Sequence, residues 1–247
     1  MVRIVVLTVV LLLLGPGLAA AQIAELEGRY WFTDFKAAAK LEGSGLEGTR
    51  VDFEKDLGLD ADEMPELRFS FGLGGSRIRA AYGYANLEGD QRIEQTIRFE
   101  GREFSAGQQV RSEIDLHYGR IGWIWTPTLI PGIFRIGPIV ELKGFLADIS
   151  LETSGTREEA TLPIVLPTIG GATDVTIGPI QVFAEVSGLP AGDYGYLVDG
   201  EAGVRWIPIR FLTVFAGYRL FDVRVGDDDD YGRMRLSGPY LGLSLRF

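Results

Sequence analysis

His117 is the only histidine in the chain, and Asp115 lies two residues before it. On a β-strand, residues two apart share a face, so this spacing sets an imidazole beside a carboxylate. A hydrolase uses such a pair for general-base work, the carboxylate orienting the ring. No serine is clearly placed beside the pair as nucleophile, and the chain has no cysteine to take that part. The lack of cysteine also excludes a disulfide framework and a zinc–thiolate site. A second candidate is "GDDDDYG", where Asp227, Asp228, Asp229 and Asp230 offer oxygen ligands for Ca²⁺ or Mg²⁺. The run lacks the ligand spacing of a calcium loop and reads equally as a solvated hairpin tip. The third group pairs charges instead of making bonds. "VRSEIDLHY" carries Arg111, Glu113, Asp115 and His117 at alternate places, and "FRIGPIVELKGFL" carries Arg135, Glu141 and Lys143.

Such alternation needs strands to position it. Period-two patterning runs through most of the chain, and helical periodicity is scarce. Ten strands are expected, at roughly 24–36, 66–73, 77–88, 108–125, 133–151, 162–174, 179–189, 195–207, 211–225 and 232–247, with eight or twelve left open. Short turns ("GLGGS", "TPTLIPG", "VTIGP", "IPIR") alternate with longer, more polar connections. In the first of those, Leu57 and Leu59 are placed to dock on a barrel rim. Residues 1–21 read as a secretory signal: Arg3, an apolar run, and an A-x-A site at Ala19-Ala20-Ala21. The remaining 22–247 form one domain. The net charge of −10 argues against nucleic acid as a partner. After the signal no apolar stretch reaches the length of a membrane helix. A membrane position therefore requires a closed barrel, which satisfies every backbone polar group.

The carboxy-terminal "YLGLSLRF" resembles the closing strand of bacterial outer-membrane β-barrel proteins. Leu241, Leu243, Leu245 and Phe247 match that family's assembly signal; Pro239 continues the parity but departs from a pure strand. The resemblance implies an all-β, transmembrane, antiparallel up-and-down barrel in the outer membrane. It implies contact with lipid and lipopolysaccharide and recognition by the barrel-assembly machinery. It carries over no catalytic residue, cofactor or metal, and leaves oligomeric state open.

If the apolar face meets lipid, the polar face lines the lumen. On that reading Arg111, Glu113, Asp115, His117, Arg135, Glu141 and Lys143 form a salt-bridged lumen network across neighbouring strands. The expected function is then a structural or surface-interaction barrel with a plugged lumen, and not an enzyme. The alternatives are a narrow diffusion channel for small polar solutes and a barrel hydrolase using His117. One conflict stands within this reading. Trp123 and Trp125 should join an interfacial girdle, yet they share the parity of Arg111. A bulge at Gly122 would resolve it.

Overall fold

The computed structural model describes residues 22–40, 50–59, 63–99, 102–153, 156–190, 192, 195–226 and 231–247. Residues 1–21, expected from the sequence to be a secretory signal, and Asp227–Asp230 lie outside the described residues. The chain runs through β1 (Gln22–Phe32), β2 (Asp34–Lys40), β3 (Arg50–Asp52), α1 (Phe53–Leu57), β4 (Glu63–Leu73) and β5 (Ser76–Arg92). A small hairpin of β6 (Ile97–Phe99) and β7 (Arg102–Phe104) follows, then β8 (Gln109–Trp125), β9 (Thr128–Ile130) and β10 (Phe134–Thr153). The remainder is β11 (Thr156–Ile177), β12 (Ile180–Pro190), β13 (Gly195–Ile209), β14 (Leu212–Gly226) and β15 (Tyr231–Arg246).

Ten of these span the molecule, with β2 continuing β1. Each pairs antiparallel with its neighbour in the chain, and β15 pairs back onto β1 to close a barrel. Closure is reinforced at the chain ends. Phe247 N–H donates to the Ala24 carbonyl at 2.8 Å, and Ala24 N–H donates to the Phe247 carbonyl at 3.2 Å. Ala24 and Phe247 therefore sit with the short turns, at the turn end of the barrel. The longer connections gather at the opposite, loop end.

Thr33 separates β1 from β2. Below it β15 pairs with β1 as far as Trp31↔Tyr240, and above it with β2 from Asp34↔Ser237. Gly238 lies at this step. A Cβ there would stand 1.8 Å from the Phe32 carbonyl oxygen, so the close approach requires glycine. The Gly238 carbonyl also accepts from Trp31 Nε1 at 3.1 Å.

The wall has two zones, and they decide which way each residue type points. In the lower zone the outer surface is apolar. Leu26, Leu67, Ile78, Ile121, Leu142, Val186, Val204 and Leu243 are all exposed there. Near the turn end this band carries Trp123, Trp125 and Trp206, and the first two stack with ring planes 8° apart. In the upper zone the pattern inverts. The outer surface becomes polar, and the inside is an apolar cluster that includes Leu87, Val110, Ile114, Leu116, Phe145 and Phe221.

Loop residues complete that upper core. Asp52 caps α1, accepting from Lys55 N–H at 3.2 Å, and Gly58 ends it with φ +66°. This compact turn delivers Leu57 and Leu59 into the apolar cluster, as do Ile93, Ile97 and Phe104 from the next connection. The docking expected of Leu57 and Leu59 is met.

Candidate functional site

Inside the apolar band, the lumen wall is charged. Six bases (Arg29, Arg68, Arg79, Arg120, Lys143, Arg219) and six acids (Glu27, Glu66, Glu141, Glu185, Asp199, Glu201) are all buried. They project from eight of the spanning strands, because each sits at a place whose immediate neighbours along the strand face outward. Within this layer the charges balance, while a seventh buried acid, Asp174, lies lower and is held by Arg135; an ion stripped of water needs both a partner and hydrogen bonds.

Most of the strong bonds cross the lumen. Glu201 on β13 accepts from Arg29 on β1 at 2.6 Å and twice from Arg68 on β4, at 2.8 Å each. Neither β1 nor β4 neighbours β13 in the sheet. Arg219 on β14 reaches Glu66 on β4 at 2.7 Å and grips Asp199 with two bonds of 2.9 Å. Its Nη2, one of the two donors to Asp199, also donates to the Tyr118 hydroxyl at 3.0 Å, and its guanidinium lies 4.8 Å from the Trp31 ring. Arg79 binds Glu185 at 2.7 Å and Glu141 at 2.9 Å. Lys143 lies 3.1 Å from Glu141 and also donates to Asp199. Shorter links join Arg29 to Glu27 and Arg68 to Glu66 along single strands. Arg120 sits among Glu66, Glu141 and Asp199, 3.8 Å from each.

A glycine makes room for one of these carboxylates. A Cβ on Gly122 would come within 2.4 Å of Glu141 Cγ. Gly122 is therefore not a bulge. The registers of β8 with β5 and with β10 run through it unbroken.

The facing expected for β8 is corrected by this continuity. Arg111, Glu113, Asp115 and His117 point outward, on the same side as Trp123 and Trp125, while Val110, Ser112, Ile114, Leu116 and Tyr118 are buried inside. The reason is the zone inversion. Above the apolar band, water wets the outer wall and the loops dry the inner one. His117 Nδ1 lies 2.7 Å from the Tyr82 hydroxyl, and Asp115 accepts from Tyr84 at 2.5 Å and from Asn86 at 3.0 Å. Asn86 also donates to Glu113 at 3.4 Å. These partners all lie on the outer face of β5.

Of the expected network, Glu141 and Lys143 therefore stand in the buried layer. Arg135 lies inside but lower, at the turn end, bound to Asp174 at 3.0 Å. The expected pairing between neighbouring strands is replaced by pairing across the lumen. Alternation in the sequence also sets Arg29, Arg68, Arg79, Arg219, Glu27, Glu185, Asp199 and Glu201 inward, but Glu66, Arg120 and Asp174 are not among the charges expected there. The parity of Arg68 points to Glu66, whereas "YGRIGW" has no clear alternation to reveal Arg120. Leu241, Leu243, Leu245 and Phe247 all face outward, as a lipid-facing closing strand requires.

A scan against protein-family models finds no match, and no curated protein matches the chain. Among solved structures, the outer membrane protease OmpT from Escherichia coli is similar with a TM-score of 0.60 at 8% identity. The match covers 95% of this chain and 99% of that one. The translocator domain of the autotransporter NalP from Neisseria meningitidis aligns with a TM-score of 0.47 at 10% identity, over 100% and 95% of the two chains. The likeness is one of fold. The chain is an antiparallel ten-stranded barrel with the fold of bacterial outer-membrane β-barrel proteins. In that class the short turns face the periplasm and the longer connections face outward.

Proposed function

We propose that the protein is an integral outer-membrane barrel with a closed lumen, serving a structural or surface-interaction role and not transport or catalysis. The observation that carries this is the balanced layer of six bases and six acids bonded across the lumen. A barrel of about eight strands has an interior that side chains fill, whereas open aqueous channels need about sixteen. Ten strands lie near the filled end of that range. The apolar cluster above the layer adds a second barrier. Against an ion, the first barrier is a packed layer with no net charge and the second offers no hydration.

The apolar outer band meets lipid in this reading, and the polar wall above it meets the lipopolysaccharide headgroups. The outward leucines and Phe247 of β15 present the segment recognised during assembly. His117 and Asp115 act as surface hydrogen-bonding groups at the upper edge of the band, next to Tyr82 and Tyr84. Liposome swelling tests the reading. Vesicles carrying the folded barrel should swell in small sugars and amino acids no faster than empty vesicles. Size-dependent swelling would replace this function with that of a diffusion channel.

A further inference from the structure

The turn end of the lumen holds a cavity beneath the closed layer, with Arg79 and Glu27 of that layer in its wall. Its wall carries five guanidinium groups, Arg77, Arg79, Arg135, Arg205 and Arg246, against two carboxylates, Glu25 and Glu27. Glu27 is already held by Arg29. This is a cationic chamber in a chain whose net charge is −10.

Arg79 is held by Glu185 and Glu141, but the other arginines are poorly matched. Among the described residues Arg205 has no carboxylate within ion-pair reach. It donates to Gln181 at 3.2 Å and lies 3.6 Å over the Phe183 ring. Arg77 stands 3.6 Å from Glu185, whose carboxylate already binds Arg79 at 2.7 Å. The Nε atoms of Arg79 and Arg246 are buried and lack a hydrogen-bond partner. Arg135, with Asp174, and Arg246, with Glu25 at 3.3 Å, hold one carboxylate each. Crowding like charges in a narrow wall is unfavourable unless something answers them. Guanidinium forks match oxyanions in geometry as well as charge.

The geometry points to this chamber as a binding site for a small multivalent oxyanion of the phosphate class, entering from the periplasm. The donors come from β5, β10, β13 and β15, on different sides of the wall. They suit an anion with oxygens facing several ways better than a flat monocarboxylate. The cavity itself is small, about 30 Å³, with an open mouth, which suits a compact anion. It is a dead end beneath the neutral layer, so the ligand is held and not passed on.

The test uses the purified full barrel in zwitterionic detergent, titrated calorimetrically at fixed ionic strength with inorganic pyrophosphate, orthophosphate and acetate. Pyrophosphate should bind saturably with one site, at least tenfold tighter than orthophosphate, and acetate should not bind. Arg205→Gln should weaken pyrophosphate at least tenfold, while Arg235→Gln, on the outer wall, should leave it unchanged. If Arg205→Gln does not fold, Arg77→Gln takes its place with the same expectation. Equal binding of acetate and pyrophosphate overturns the proposal, as does undiminished binding by the chamber variant. The lumen wall separates the site from lipid, so barrels in phosphatidylglycerol and phosphatidylcholine vesicles should bind pyrophosphate alike. A tenfold loss in phosphatidylglycerol would assign the site to lipid headgroups and overturn a soluble ligand.

Discussion

Glu201→Gln isolates the charge layer with the smallest change of shape. The Glu201 carboxylate accepts three hydrogen bonds from two guanidiniums, at 2.6, 2.8 and 2.8 Å, in a buried site. Glutamine keeps the volume but replaces one oxygen with an NH₂ group, which then faces guanidinium donors. At least one bond is lost outright, and hydrogen bonds to charged groups contribute roughly 1.5–3 kcal/mol each. The layer also becomes six bases against five acids. Removing one partner of a buried ion pair typically costs about 3–5 kcal/mol. Arg29 keeps Glu27, and Arg68 keeps Glu66, so the low end applies, about 3 kcal/mol on that scale. At about 1.4 kcal/mol per factor of ten, this is roughly a hundredfold in the folding constant. Urea unfolding in vesicles, followed by heat-modifiable gel mobility, reads it directly. Glu113→Gln is the control. It sits on the wetted outer wall, where substitutions usually change stability by less than about 0.5 kcal/mol. Equal, small losses for both variants would mean that Glu201 is hydrated, and the reasoning would be refuted.

Three further outcomes are expected. In a chain with no native cysteine, His117→Cys should react with a membrane-impermeant maleimide from outside, and Leu116→Cys should not; the reverse would restore the inward facing of His117. Leu142→Arg should cost about 2–4 kcal/mol, the range for arginine at mid-depth on a lipid face, measured by the same unfolding assay; an unchanged midpoint would place Leu142 away from lipid. Deleting Phe247 should cut the yield of folded barrel in the outer membrane without blocking export, because it removes both closing bonds to Ala24 along with the terminal ring. Normal heat-modifiable yield would argue against that role.

The strand positions were legible because alternation and turn residues act locally. "GLGGS" and "VTIGP" end strands wherever the chain goes next, and the observed spans follow the expected ones closely except at β11, which begins at Thr156 and not near 162. Facing was harder, because alternation has a period but no sign. For β10 the sign came out right: Leu142 is half exposed and Lys143 fully buried, at 50% and 0%. For β8 it did not, because that strand leaves the apolar band. Its lower part sets Ile121, Trp123 and Trp125 outward among apolar groups, and its upper part sets Arg111, Glu113 and Asp115 outward in water. The shared parity of Trp123 and His117 was the sign of this change. It marks a change of surroundings at constant facing, not a kink in the strand. The pairing of lumen charges was not legible at all. It depends on which strands face each other across the barrel, as Arg68 faces Glu201 over 133 positions of sequence.

Closure of the lumen is most directly tested by ionic conductance of the purified barrel in planar bilayers. The cross-lumen layer predicts insertions without conductance steps at any voltage the bilayer survives, in high as in low salt. Stable, ion-selective steps in the wild type, with Glu201→Gln shifting only their selectivity, would mean that the lumen is a water-filled channel and that the closed-barrel account is wrong.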